Sequence, residues 1–171
     1  MKRILIFLTA LFFVGCASSQ PKIPIADAYK FDKIEYNHIQ IHNPTKFTYQ
    51  SKESVEAKYN EDLKSLLKKE NLLNQSSKDE LKISVWHRRM FSGEATPFPS
   101  DRIGGIFVSY EIKIIRDGQI LRDYVLNESM YDPGFFGNLK TIVGQNKDDS
   151  YENSAIDAFV RDIVKTLEEL K

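Results

Sequence analysis

Ile106, Val108, Tyr110, Ile112 and Ile114 recur at every second position, and Asp117-Gly118 follows after Ile115 and Arg116. A period of two puts five apolar side chains on one side of a strand, so this stretch must lie against a core on that side. Asp-Gly is suited to a two-residue primed turn, which requires positive φ at both central positions. The chain is therefore committed to an antiparallel hairpin, with a return strand over about Gln119 to Met130. Its register stays open at this level. A two-residue turn sets Ile112 opposite Asp123, and a three-residue turn sets it opposite Arg122. Leu81, Ile83 and Val85 alternate with Lys82, Ser84 and Trp86 in the same manner and predict a second half-buried strand. Upstream, Phe31, Ile34, Tyr36, Ile39 and Ile41 alternate imperfectly and predict a strand or strand pair. Asn43-Pro44 ends it, because proline cannot donate to a ladder and restricts the residue before it.

Two stretches switch to helical spacing. Between Ser54 and Leu73, the residues Val55, Tyr59, Leu63, Leu66 and Leu67 fall on one face, with charged residues on the other. Asn71, Asn74, Ser76 and Ser77 then break the pattern. Near the end of the chain, Ala155, Ile156, Phe159, Val160, Ile163, Val164, Leu167 and Leu170 form a broader stripe. Asp149 with Glu152 three residues later matches a capping box. Two one-faced helices and a one-faced sheet predict an α+β fold. The expected form is a two-layer sandwich, with a mostly antiparallel sheet of about four strands and both helices on one face. The first helix then serves as the crossover of a right-handed strand, helix, strand unit.

The first 20 residues follow a different logic. Lys2 and Arg3 precede the apolar run from Ile4 to Val14, and the one cysteine of the chain, Cys16, comes next. Eleven helical residues span about 16 Å, well short of the roughly 30 Å hydrocarbon core of a bilayer. The segment therefore reads as an export signal and not as a spanning helix. Phe13-Val14-Gly15-Cys16 resembles the bacterial lipobox, although Phe13 stands where leucine is usual. That resemblance implies cleavage before Cys16 and its modification by diacylglycerol and a further chain such as palmitate. More than one acyl chain makes such an anchor effectively permanent. The expected organisation is a signal peptide over 1–15, a lipid-anchored flexible tether over 16–28 and a single periplasmic domain over 29–171. Ala17 implies sorting to the outer membrane, because aspartate at that place is the usual retention signal for the inner one.

Without residues 1–15 the 24 basic residues become 22 against 24 acidic ones, a net charge of about −2. Binding nucleic acid through counterion release needs a clear basic excess, so no nucleic-acid partner is expected. A lone cysteine also forbids an internal disulfide, and stability must come from packing.

The order of elements from Asp79 to Leu170, combined with the lipobox, resembles small Gram-negative outer-membrane lipoproteins of the YajG type. It is more loosely similar to the LptE-like lipoproteins of lipopolysaccharide assembly and to auxiliary lipoproteins of lipid-transport systems. The tyrosine and proline common just after the cysteine in the LptE-like group are absent here. The resemblance implies a non-enzymatic accessory protein that faces the periplasm and binds and positions another envelope protein. The alternative it implies is an auxiliary subunit that contacts lipid or glycolipid. A closed apolar cavity between sheet and helices would favour the alternative, and a filled core the adaptor.

Candidate chemistry is sparse. His38 and His42 would lie on the same side of a strand but about 13 Å apart, too far to share a metal ion. No metal and no cofactor is expected. His87-Arg88-Arg89 reads as a solvated strand end, with Arg88 and Arg89 as the candidate anion-binding pair. Asp148-Asp149 and Glu168-Glu169 read as charge runs at helix ends, and no serine, histidine and aspartate constellation is recognisable, so no enzyme is expected. The loops 92–105 and 132–144 combine glycine and proline with Phe98, Phe135 and Phe136. Those phenylalanines, with Trp86 on the polar side of its strand, are the candidate partner-binding anchors.

Overall fold

The computed structural model describes residues 23–134 and 147–171. Six elements follow in the order β1 (Glu35–Gln40), α1 (Lys52–Lys69), β2 (Glu80–Phe91), β3 (Ile103–Arg116), β4 (Gln119–Met130) and α2 (Ser150–Glu169). The strands form one sheet in the order β1-β2-β3-β4. β1 runs parallel to β2, with α1 as the crossover, and the remaining pairs are antiparallel. This is the α+β sandwich that the two periodicities predict, with a mostly antiparallel sheet of four strands.

Both helices lie on the face of the sheet that carries Leu81, Ile83 and Val85 from β2 and Ile106, Val108, Tyr110, Ile112 and Ile114 from β3, all buried. Val55, Tyr59, Leu63 and Leu67 of α1 and the stripe from Ala155 to Leu167 of α2 close over them. Each end of α1 has a local cause. The Ser51 side chain accepts from the Ser54 N–H at 3.2 Å, and Asn71 takes the left-handed conformation (φ 57°) that asparagine tolerates. The Leu72 N–H then donates to the Leu67 carbonyl at 2.7 Å, satisfying an end carbonyl.

The hairpin departs from both expected registers. Asp117 (φ 51°) and Gly118 (φ 80°) adopt the primed turn, and Arg116 pairs with Gln119. A bulge at Ile114/Ile115 then inserts Leu121, so that Ile112 faces Tyr124 instead of Asp123 or Arg122. A second shift follows between Val108 and Tyr110. The bulges turn Tyr124 and Leu126 toward the core and twist β4, which is the exposed edge of the sheet.

Among the described residues, contacts to the domain are made from Ile23 onward, inside the stretch read as tether. The Ala26 N–H donates to Asp79 at 2.6 Å, and Asp79 is also paired with Arg116. Arg116 donates in addition to the Pro24 carbonyl and Arg122 to the Ile23 carbonyl, at 3.0 and 3.1 Å. The chain thus enters the sandwich beside the β3–β4 turn. The loops between β1 and α1 and between β2 and β3 lie at the other end, as do the described residues just after β4 and just before α2.

Candidate functional site

The inward row of β2 changes character halfway along. After Leu81, Ile83 and Val85 the next two inward positions are His87 and Arg89, and Phe91 restores the apolar row. Their burial is a property of strand phase, because side chains two apart share a face. His87 is fully buried and Arg89 is 4 % exposed, so the expected solvated strand end is not what forms. Arg88, between them, points to the open face.

A buried arginine requires a partner, and α2 supplies it. Glu152, in the first turn of that helix, is fully buried and lies over the sheet. Its Oε1 accepts from His87 Nε2 at 2.9 Å and from Arg89 Nε at 3.0 Å, and its Oε2 accepts from Arg89 Nη2 at 2.6 Å. The predicted capping box is therefore not formed. Asp149 makes no side-chain cap, and its carboxylate accepts instead from the Gln50 N–H at 3.0 Å. Burial pushes the Glu152 carboxyl up, but the hydrogen bonds from His87 and Arg89 outweigh it and hold the group below its ordinary range.

Since His87 Nε2 donates to Glu152, its Nδ1 is left for the Tyr59 hydroxyl, 3.1 Å away. Burial pushes that hydroxyl well above the usual tyrosine value. His38 stacks on His87 with centroids 5.7 Å apart and planes at 13°, while its Nδ1 meets the Tyr36 hydroxyl at 2.8 Å. Burial first, then Arg89 and His87, push the His38 imidazole down. The Tyr59, His87 and Glu152 chain has the order of a proton relay. Its hydroxyl, however, lies wholly inside the core, so the arrangement works as a tie between α1, β2 and α2.

Only the edge of this network reaches solvent. An open pocket of about 480 Å³ is lined by His38, Gln40, Phe47, Tyr49, Lys52 and Arg89, among others. Arg89 donates through Nη1 to Gln40 Oε1 at 2.8 Å and through Nη2 to the Gln50 carbonyl at 3.2 Å, and its guanidinium lies 5.5 Å from the Tyr49 ring centroid. A second knot closes the same end. Asp101 accepts from His42 Nε2 at 2.7 Å, from the Thr45 N–H at 3.0 Å and from the Lys46 N–H at 2.8 Å. His42 and then Thr45 hold the Asp101 carboxyl well below the carboxylate range.

The expected site residues are thus dispersed. Arg89 sits in the buried network, whereas Arg88 lies over the Phe107 ring and near Glu128 on the open face. Trp86 is 37 % exposed on that face, and Phe98 is 90 % exposed at the tip of the loop between β2 and β3. Cys16, Phe135 and Phe136 lie outside the described residues. Among the described residues no group of three or more histidines, cysteines or acids is placed to hold a metal ion, and no helix is long and apolar enough to cross a membrane. Glu152 is the member that sequence reasoning assigned elsewhere. The available signal was the phase of β2, which put a histidine and an arginine among core positions and so demanded an acid.

No family model matches the chain, and no curated protein matches it. Solved structures to which the chain is similar at a low level include two bacterial proteins. One is a Xanthomonas campestris protein of family DUF330, with TM-score 0.40 and 8% identity, the match covering 84% of this chain and 90% of that one. The other is a minor lipoprotein from Acinetobacter baumannii, with TM-score 0.37 and 14% identity over 83% of this chain and 91% of that one.

Proposed function

We propose that the chain is an outer-membrane lipoprotein, anchored through acylated Cys16, whose periplasmic domain binds and positions another envelope protein without catalysing a reaction. The observation that carries this reading is the polarity of the sandwich. Arg116 and Arg122 grip Ile23 and Pro24 at one end, while Phe98 and the pocket belong to the other. Twelve residues of β2 separate the two ends by about 40 Å. The seven residues from Cys16 to Lys22 reach at most about 25 Å. An anchored domain so gripped would keep its β3–β4 turn near the bilayer and offer the far loops to a partner.

The packing between sheet and helices supports the adaptor over a lipid carrier. Tyr59, Leu63, Tyr110, Ile112, Ile156 and Ile163 fill that layer with fully buried side chains. Two experiments test the reading. Cys16→Ala should release the protein from the detergent phase, and unchanged fractionation would refute lipidation. Affinity capture from solubilised envelope should lose a partner when Phe98, Phe135 and Phe136 are replaced by alanine, and equal recovery would remove the aromatic loops from the account.

A further inference from the structure

We infer that the pocket between β1 and the start of α1 is a binding site for a phosphate-class oxyanion, held between Arg89 and Lys52. The inference stands apart from membrane anchoring, since it rests on the pocket alone. Arg89 approaches from beneath, fixed by Glu152, Gln40 and the Gln50 carbonyl. These bonds use four of the five guanidinium N–H groups. The fifth, on Nη1, has no partner among the described residues, and Arg89 is one of the residues that line the pocket. A guanidinium locked on three sides loses no further side-chain freedom on binding, which is the condition under which a charge-assisted hydrogen bond is strongest.

Lys52 supplies the second charge at the rim. Its side chain is exposed, and it makes no ion pair among the described residues. None of the described residues that line the pocket is acidic. His38 contributes a ring that burial and the neighbouring Arg89 keep from taking a proton easily, so the site relies on the free N–H of the Glu152-paired Arg89 and on the unpaired charge of Lys52, and not on histidine. Two carboxylates act against the site: Glu152, which offsets the Arg89 charge from within the core, and Glu53, close enough to feel Lys52 and His38 but hydrogen-bonded to its own N–H and to Ser51. At about 480 Å³ the pocket has room for a phosphate monoester and part of its alcohol. That chemistry belongs both to free phosphate esters and to phospholipid headgroups.

The test uses the full-length protein in a non-ionic detergent, with nitrogen-15 labelling to follow the Lys52 amide and the Arg89 Nε–H. Glycerol 1-phosphate should give saturable shifts at both positions. Lys52→Gln should weaken binding by about tenfold or more, the loss expected for one charge-assisted bond. Lys52→Arg should retain binding, and Glu53→Gln should tighten it. Phosphatidylglycerol in mixed micelles of the same detergent that reproduces the shifts, where phosphatidylcholine, which also carries phosphate, does so only weakly, would identify an anionic headgroup as the source. Shifts with glycerol 1-phosphate alone would identify a soluble ester. Both results support the site. Absence of saturable shifts with either probe, or an affinity unchanged by Lys52→Gln, would overturn it.

Discussion

Replacing Glu152 by glutamine keeps the side-chain volume and removes the charge that neutralises Arg89. The amide can still accept through one oxygen, but its NH2 group must face one of the donors that now point at the carboxylate, His87 Nε2, Arg89 Nε or Arg89 Nη2. Removing one partner of a buried pair costs about 3 to 5 kcal/mol, and one retained hydrogen bond places this variant near the lower end. Against a total stability of about 5 to 15 kcal/mol, the loss is large. With a urea slope of about 1.5 to 2 kcal/mol per molar, the unfolding midpoint should fall by about 1.5 to 2 M. Glu169→Gln, which breaks the pair between Lys165 and Glu169 at an exposed site, should change stability by less than about 0.5 kcal/mol. The folded-state pKa of Glu152 lies below its unfolded value of 4.5, so its contribution is complete above that pH. It is lost as the pH falls through the folded value, and the difference between wild type and variant should narrow in that acid window. A drop of less than about 1 kcal/mol at pH 7 would show that Arg89 is not held as a buried charge, and the account of the network would fail.

Further outcomes follow from individual contacts. Replacing His87, Arg89 and Glu152 together by leucine, methionine and leucine should leave stability within about 1 to 2 kcal/mol of wild type in the same urea assay, because a well-packed apolar set replaces a buried ionic one at little cost. It should abolish the phosphate response. Asp101→Asn should loosen the loop from His42 to Lys46, read as faster cleavage there in limited proteolysis at neutral pH. Because the Asp101 carboxyl titrates below its unfolded value, acidification of the wild type should approach the same behaviour only at strongly acid pH. Ser51→Ala removes the acceptor for the Ser54 N–H and should lower stability by about 1 kcal/mol by urea melt. Arg122→Ala should loosen the segment held at Ile23, read as faster amide exchange from Ile25 to Asp27, with little change in the core.

The elements were legible because each depends on local spacing. Leu81, Ile83 and Val85 announce a strand, and Val55, Tyr59 and Leu63 a helix, without knowledge of the partner. The register of β4 was not legible, because the bulge that inserts Leu121 responds to the burial of Tyr124 and Leu126, a tertiary effect. Glu152 was misread for a related reason. Its spacing from Asp149 satisfies a local capping rule, while its actual partners lie 65 and 63 residues away. The contradiction was nonetheless present in β2, whose phase carries His87 and Arg89 inward between Val85 and Phe91. The N-terminal grip escaped detection because Pro24 and Ile23 are held through backbone carbonyls, which have no side-chain signature.

The proposed polarity of the domain relative to a bilayer can be measured directly. Single cysteines at Lys171, near the β3–β4 turn, and at Ala95, in the far loop, can carry a fluorophore, since the proposed acylation would block the thiol of Cys16. In liposomes holding the native lipidated protein, a headgroup-attached quencher should extinguish the label at position 171 and spare the one at 95. Equal quenching at both positions, or stronger quenching at 95, would contradict the arrangement.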